Sequence, residues 1–370
     1  MSPAITTQDH AEDLDIKAKA TDTPQPSILR SPLKSSGSLN EYENFNTTPI
    51  IGTEFPRVQL TEILKDEAKI RDLAILVSER GVVFFRDQDI SSEEQKVLGQ
   101  KLGELTGKPS TSKLHRHAVA NSKRGIAVDE NGHLDDEISV ISSEPQVNRK
   151  LYGERYKPLN GRLASQGWHA DITFERVPSD YALLKITDLP EDQSGGDTLW
   201  ASGYELYDRL SPSIQKLAEE LKVVHYQPAF NKVAKEHGID LIEGDRGAPE
   251  NTGFDFKATH PLIRTNPVTG WKSLFGAGQQ VEHGWIEGVT QLESEVLKKL
   301  FNRLLFENHD LQVRFRWGRN DLAIWDKTTM LIQDSDYNGK RQGNRVVSLG
   351  EIPYFDPLSK SRRQALAEGV

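Results

Sequence analysis

Apolar residues along the chain follow two periods, and the change from one to the other separates expected helices from expected strands. Across residues 58–80, Leu60, Ile63, Leu64, Ile70, Leu73, Ala74 and Val77 recur at mostly three- and four-residue intervals, the spacing that lines one helix face. The run Val82-Val83-Phe84-Phe85 between Gly81 and Arg86 reads as a short buried strand. Ser91 with Glu94 three residues later is a capping-box signature and opens a helix to about residue 105. Residues 107–160 are polar and broken by Gly, Pro and Ser. A strand fits 138–141, and much of the rest is expected as an insertion or lid.

The second half is dominated by short apolar runs. Strands are expected at 181–186, in the run into Trp200 after the Gly195-Gly196 turn, and at 259–264, 271–275, 311–317, 321–325 and 345–349. Ser211-Pro212 starts one helix, and Thr290 with Glu293 caps another to about residue 306. Many short strands with helices early and between them predict a mainly β fold with flanking helices, a sandwich of jelly-roll type. Residues 1–40, rich in Ser, Thr, Pro and Asp with almost no aromatics, are expected as a disordered tail. One domain is expected over 41–370.

Composition narrows the chemistry. The 370 residues carry a net charge of −9, which gives no general attraction for nucleic acid. There is no cysteine, so disulfides, zinc fingers and iron–sulfur clusters are excluded. Any metal must be held by carboxylates and by some of the ten histidines. No apolar run is long enough to span a bilayer and no signal-peptide core opens the chain, so a cytoplasmic enzyme without a membrane partner is the expectation. No Gly-rich phosphate loop follows a strand, which disfavours nucleotide-dependent readings.

Candidate metal chemistry centres on Gln166-Gly167-Trp168-His169-Ala170-Asp171-Ile172-Thr173-Phe174. In an extended strand, residues i and i+2 project to the same side. His169 and Asp171 could therefore converge as two cis ligands to one ion, as in the facial triad of non-haem Fe(II) oxygenases. A surface strand pair would show the same two letters.

Four segments in order decide between these: Trp168-His169-Ala170-Asp171, Gly195-Gly196-Asp197-Thr198, Trp325-Asp326, and Arg341 followed four residues later by Arg345. This series resembles the taurine dioxygenase family of Fe(II)/2-oxoglutarate-dependent oxygenases, from about residue 50 to 358. Pro178-Ser179-Asp180-Tyr181, Trp200-Ala201-Ser202-Gly203-Tyr204 and Ser348-Leu349-Gly350-Glu351 look like its fungal sulfonate dioxygenase branch. The resemblance implies a double-stranded β-helix with His169 and Asp171 on Fe(II), and Thr198 and Arg341 on the distal carboxylate of the co-substrate 2-oxoglutarate. A guanidinium fork suits a carboxylate, and a hydroxyl adds a donor. Arg345 would face an anionic substrate, a sulfonate in the taurine enzymes, because it would otherwise sit unpaired. An amino acid or another carboxylate is the alternative. The resemblance further implies that His115 or His117 contacts substrate and that Phe174 and Phe275 line the pocket, while His260 is read as structural. O2 is the other partner; a homo-oligomer is possible.

One departure stands out. The family places a third iron ligand, a His, about six residues after the Trp-Asp pair. That place falls here on Ile332 or a neighbour, and no histidine follows His309. Gln333 or Asp334 could substitute as an oxygen ligand. Alternatively, His169 and Asp171 hold iron with 2-oxoglutarate and water, or the chain survives as a binder without oxygenase activity. The retained arginines favour an active enzyme.

Overall fold

A computed structural model describes residues 30–143, 163–192, 195–333 and 339–369. In chain order its strands are β1 (Phe45–Asn46), β2 (Thr53–Phe55), β3 (Val82–Phe85), β4 (Ile138–Ser142), β5 (Ser179–Asp188), β6 (Thr198–Ser202), β7 (Lys222–Tyr226), β8 (Lys257–Pro261), β9 (Ile263–Thr265), β10 (Lys272–Leu274), β11 (Ile286–Glu287), β12 (Gln312–Phe315), β13 (Leu322–Asp326), β14 (Thr329–Gln333) and β15 (Gln342–Leu349). The larger sheet has the order β1-β2-β3-β13-β5-β15-β4, and a three-stranded sheet has the order β12-β6-β14. Their strand pairs are antiparallel except β2 with β3.

The central strands of the large sheet are buried on both faces, which explains their continuous apolar runs. Period-2 alternation sends Val83, Phe85, Leu183, Ile324 and Val346 to one core with Ile70, Leu73, Val77, Leu98 and Leu102. The first three of those partners lie on the helix Glu67–Arg80 and the other two on the helix Ser92–Glu104. The opposite face sends Val82, Phe84, Ala182, Leu184, Ala323 and Trp325 against Trp200, Val313 and Phe315 of the small sheet. Phe84 stacks on Phe315 at 4.1 Å between centroids and meets Trp200 edge-on at 5.4 Å. Behind the small sheet, Ala201, Met330 and Ile332 pack on Leu297, Phe301 and Leu305 of the helix Gln291–Glu307. The result is two facing sheets between helical layers.

Both expected capping boxes form, at Ser91/Glu94 and Thr290/Glu293. Other expectations need correction. The pattern over 58–80 is two helices, Leu60–Ile63 and Glu67–Arg80. Asp66 restarts the second by accepting from the Ala68 N–H at 2.9 Å, and both helices bury their apolar face in one core, so the periodicity runs on through the break. The expected strand at 259–264 is divided between β8 and β9. β7, β14 and the helix Ala229–His237 lacked a recognised signal. Residues 30–40 are not a loose tail: the Asp72 carboxylate accepts from the N–H and hydroxyl of both Ser36 and Ser38 at 2.8–3.0 Å. Residues 1–29 lie outside the described residues. Of the expected insertion, 107–143 is described: Leu114 bridges Ser348, and β4 is the edge strand beside β15. Residues 144–160 are likewise outside the description.

Phe84→Ala removes the ring that joins the two sheets, and should cost about 3–5 kcal/mol by analogy with buried Phe deletions. Equilibrium urea unfolding measures it; a loss under about 1 kcal/mol would show that this stack is not what couples the sheets.

Candidate active site

The stretch around His169 is not the strand expected from its sequence. His169 forms a single antiparallel bridge with Leu331 of β14, through hydrogen bonds of 3.0 and 2.8 Å in both directions. The chain then turns at once. Ile172 takes a φ of 49°, a left-handed conformation costly for a β-branched residue. Gly278, at φ 93°, lies so close behind that an added Cβ would meet Met330 at 2.2 Å and the Trp168 carbonyl at 3.0 Å. The Gln279 N–H donates to that carbonyl at 2.7 Å, fixing the segment from above.

These constraints orient the donor atoms. The His169 Nδ1–H donates to the Gly167 carbonyl at 2.9 Å, which leaves Nε2 as the lone-pair nitrogen, the arrangement that prepares an imidazole for a metal. Asp171 is buried and held at both oxygens: Trp325 Nε1 donates to Oδ2 at 3.1 Å and Arg345 Nη1 to Oδ1 at 2.5 Å. Arg345 is therefore paired, contrary to the expectation that it needs a substrate anion for a partner. Its Nε nevertheless remains buried without a hydrogen-bond partner among the described residues.

A cavity of about 130 Å³ opens at this point, lined by His117, His169, Asp171, Ile172, Phe174, Gln227, Phe230, Gln279, Gln280 and Arg345. It brings together four of the expected site residues, His169, Asp171, Phe174 and Arg345. His117 is on its wall and His115 is not. The His115 ring faces Glu175 at 3.4 Å, and Glu175 in turn takes a two-pronged ion pair from Arg246 at 2.5 and 2.8 Å. His115 is claimed by that buried pair and stays off the cavity wall, and of the two histidines left open by the sequence it is His117 that lines the cavity. The His117 Nδ1 accepts from the Val119 N–H at 3.1 Å, leaving Nε2–H as a donor. Burial, helped by the nearby positive charges, holds it neutral, well below the ordinary imidazole range. Phe275 also misses the cavity. It packs among His225, His260 and the Arg264 guanidinium, at 4.7, 5.4 and 4.7 Å.

Thr198 and Arg341 are buried and do not line this cavity, but they share one neighbour. The Trp317 indole N–H donates to Thr198 Oγ1 at 3.0 Å, and the Arg341 guanidinium lies 5.9 Å from the Trp317 ring. The third-ligand candidates fare differently. Gln333 ends β14, paired with Thr198, and Asp334 lies outside the described residues. The donors present suit a divalent ion at two positions, an imidazole nitrogen and a carboxylate. Elsewhere, Glu93, His133 and Asp135 cluster within 4.8 Å, but the Lys96 ammonium already reaches Asp135 at 2.6 Å and Glu93 at 3.0 Å.

Trp317, Phe230 and the three glutamines were not singled out from sequence, and Trp325 only as part of a motif. Trp325 had a signal, the Trp-Asp pair. Its indole holds Asp171, while the buried Asp326 accepts from Asn266 at 2.8 Å and is pushed by burial up to about 7 against the Thr328 hydrogen bonds.

A family model described as Taurine catabolism dioxygenase TauD, TfdA family matches residues 43–347. The Alpha-ketoglutarate-dependent dioxygenase btcD of Neocamarosporium betae is 46% identical, over 91% of this chain and 99% of its own length. A Putative alpha-ketoglutarate-dependent sulfonate dioxygenase of Schizosaccharomyces pombe is 30% identical, over 86% of this chain and 72% of its own. Among solved structures, a Putative Alpha-ketoglutarate-dependent Taurine Dioxygenase from Burkholderia xenovorans superposes with a TM-score of 0.60 at 22% identity, covering 86% of this chain and 92% of that one.

His169→Ala should abolish divalent-metal binding while leaving the thermal midpoint within a few degrees, since the backbone bridge to Leu331 does not use the ring. Calorimetric metal titration beside a thermal melt checks this; retained binding would move the site elsewhere. Stability should also depend on pH. Burial lowers His115, lowers His117 and His225 well below 6.5, and lowers His260 to about 4. Unfolded imidazoles take protons near 6.5 and these folded ones do not. Their stabilisation is thus full above that value and is lost as the pH falls through the folded values, about 3 kcal/mol for His260 alone. Urea midpoints should drop from pH 7 to pH 4.5; a flat profile would contradict the neutral buried state.

Proposed function

The chain belongs to the TauD, TfdA family and is a 2-oxoglutarate-dependent dioxygenase; on that premise we propose that it oxygenates a small anionic molecule in the cavity beside His169 and Asp171. The observation that carries this reading is the convergence on one cavity of the free Nε2 of His169, the Asp171 carboxylate and the Arg345 guanidinium. His169 and Asp171 would hold Fe(II), with Thr198 and Arg341 on the distal carboxylate of 2-oxoglutarate. The ion and co-substrate, when bound, use O2 to oxidise a substrate C–H bond, releasing succinate and CO2. We read the two facing sheets as the double-stranded β-helix that suits such a centre.

The chain's own residues have definite tasks. Trp325 and Arg345 fix the plane of the Asp171 carboxylate. The buried Nε of Arg345 offers a donor to a substrate anion, and the His117 Nε2–H offers a neutral one. Gln227 Oε1 is buried without a hydrogen-bond partner among the described residues, an acceptor suited to a substrate N–H or O–H. Phe174 and Phe230, edge to face at 5.2 Å, form an apolar wall that keeps water from the reacting carbon.

Sulfonate is the anion favoured by the motifs and by the relatives named for it. A carboxylate, as in an amino acid, is the second reading: the cavity offers one guanidinium and a set of neutral amides, which serve it as readily. The unpartnered Gln227 acceptor favours an amino-bearing member of either class.

Succinate release should rise above background with some member of a panel of amino-sulfonates and amino acids, and fall when the amino group is deleted from that substrate. Arg345→Gln and Gln227→Leu should each raise KM about tenfold or more, the loss of one charged or buried hydrogen bond. No succinate with any panel member, together with no metal binding, would leave a silent anion binder instead.

A further inference from the structure

We propose that Leu331 stands at the third corner of the metal site, so that the ion is held by two protein side chains and leans on 2-oxoglutarate for the remainder. The inference rests on the metal reading of His169 and Asp171 given above. Its starting point is the pair of reciprocal hydrogen bonds between His169 and Leu331, 3.0 and 2.8 Å. Residues that exchange both bonds across an antiparallel pair sit directly opposite, with their side chains on the same face and Cβ atoms about 5 Å apart. Leu331 is thus the side chain on β14 that stands directly opposite His169, on the face it shares with Thr329 one pleat away.

Packing agrees residue by residue. Trp168 and Ala170, which flank His169, lie in the same core as Met330 and Ile332, which flank Leu331. Leu331 packs instead on the cluster that holds Ile172, Phe174 and Trp325 around the site. Alternation along β14 therefore sends Ile332 away from the ion and Leu331 towards it, settling which neighbour occupies the place left open by the sequence. An isobutyl group donates nothing to a cation. The described residues then supply two of about six positions around the metal, and a chelating co-substrate supplies a larger share than with three protein ligands. Metal and 2-oxoglutarate should bind with strong mutual reinforcement.

The test is an anaerobic titration of Co(II) into the full chain, with and without 2-oxoglutarate, read by calorimetry and the visible spectrum of the bound ion. Leu331→His should bind Co(II) at least about tenfold more tightly, depend less on 2-oxoglutarate, and lose the gain when combined with His169→Ala. Ile332→His should bring no gain, because that side chain points into the opposite core. Leu331→Asp, a smaller donor at the same place, should tighten binding as well and covers the case in which the imidazole disturbs packing. Gln333→Ala should leave the wild-type affinity unchanged. The inference is overturned if neither Leu331 variant binds more tightly, if Ile332→His does, or if Gln333→Ala weakens binding. Failure of the underlying reading looks different: no Co(II) then binds to the wild type or to either Leu331 variant, or binding ignores His169→Ala.

Discussion

The indole of Trp325 joins the core of this protein to its chemistry. The ring is buried between the sheets, 5.8 Å from Trp200, and its N–H reaches Asp171 Oδ2 at 3.1 Å. A buried carboxylate is tolerable only when its oxygens are satisfied, and Asp171 has this donor from β13 and the Arg345 guanidinium from β15. Both donors come from the middle of the large sheet, where each strand is paired on both sides. The plane of the carboxylate is therefore set by the best-determined part of the fold, while the imidazole beside it is set by a single bridge and a strained turn. Precision on one side chain and a short clamp on the other is how a loop positions two donors without a strand of its own.

Charge in the cavity is close to balanced before any ligand enters. Asp171 and Arg345 compensate each other, His117 is neutral, and the remaining polar walls are the His169 imidazole and three amides. In the proposed reading, a divalent ion would add positive charge at Asp171, and an anionic co-substrate and substrate would then restore balance. Binding of cation and anions is thus electrostatically cooperative. With two protein donors in place of three, as proposed, that cooperativity would be a larger part of total affinity.

Much of this was legible in the chain. The capping boxes at Ser91 and Thr290 needed only local hydrogen bonds, and both formed. His169 and Asp171 were legible through two-residue spacing although the stretch is mostly turn, because one bridge at His169 suffices to set their side. What stayed hidden depends on tertiary register. Ile332 and Leu331 cannot be told apart until the bridge fixes which of them faces His169. His115 and His117 cannot be separated until Arg246 and Glu175, distant in sequence, meet and claim one ring. Phe275 went astray for the same reason: an aromatic residue near a motif packs equally well in a core, and here Arg264 and two imidazoles surround it. Trp317, between Thr198 and Arg341, carries no mark in its own segment.

The strand order also says when the site can exist. Between β3 and β5 lies β13, and between β5 and β4 lies β15, so the early strands β3, β5 and β4 are separated from one another by late ones. During synthesis from the amino end, β3 can pair only on its β2 side, and β4 and β5 lack their sheet partners until residues beyond 322 and 342 follow. Leu331, Trp325, Arg341 and Arg345 are all on that final stretch. The nascent chain therefore carries His169 and Asp171 long before anything can hold them in place. Folding must wait for non-local pairing, which is slow and leaves apolar edges exposed meanwhile. A ribosome stalled before residue 320 would hold an aggregation-prone chain without the cavity, and emergence of β13 to β15 would close the sheet and assemble the cavity together.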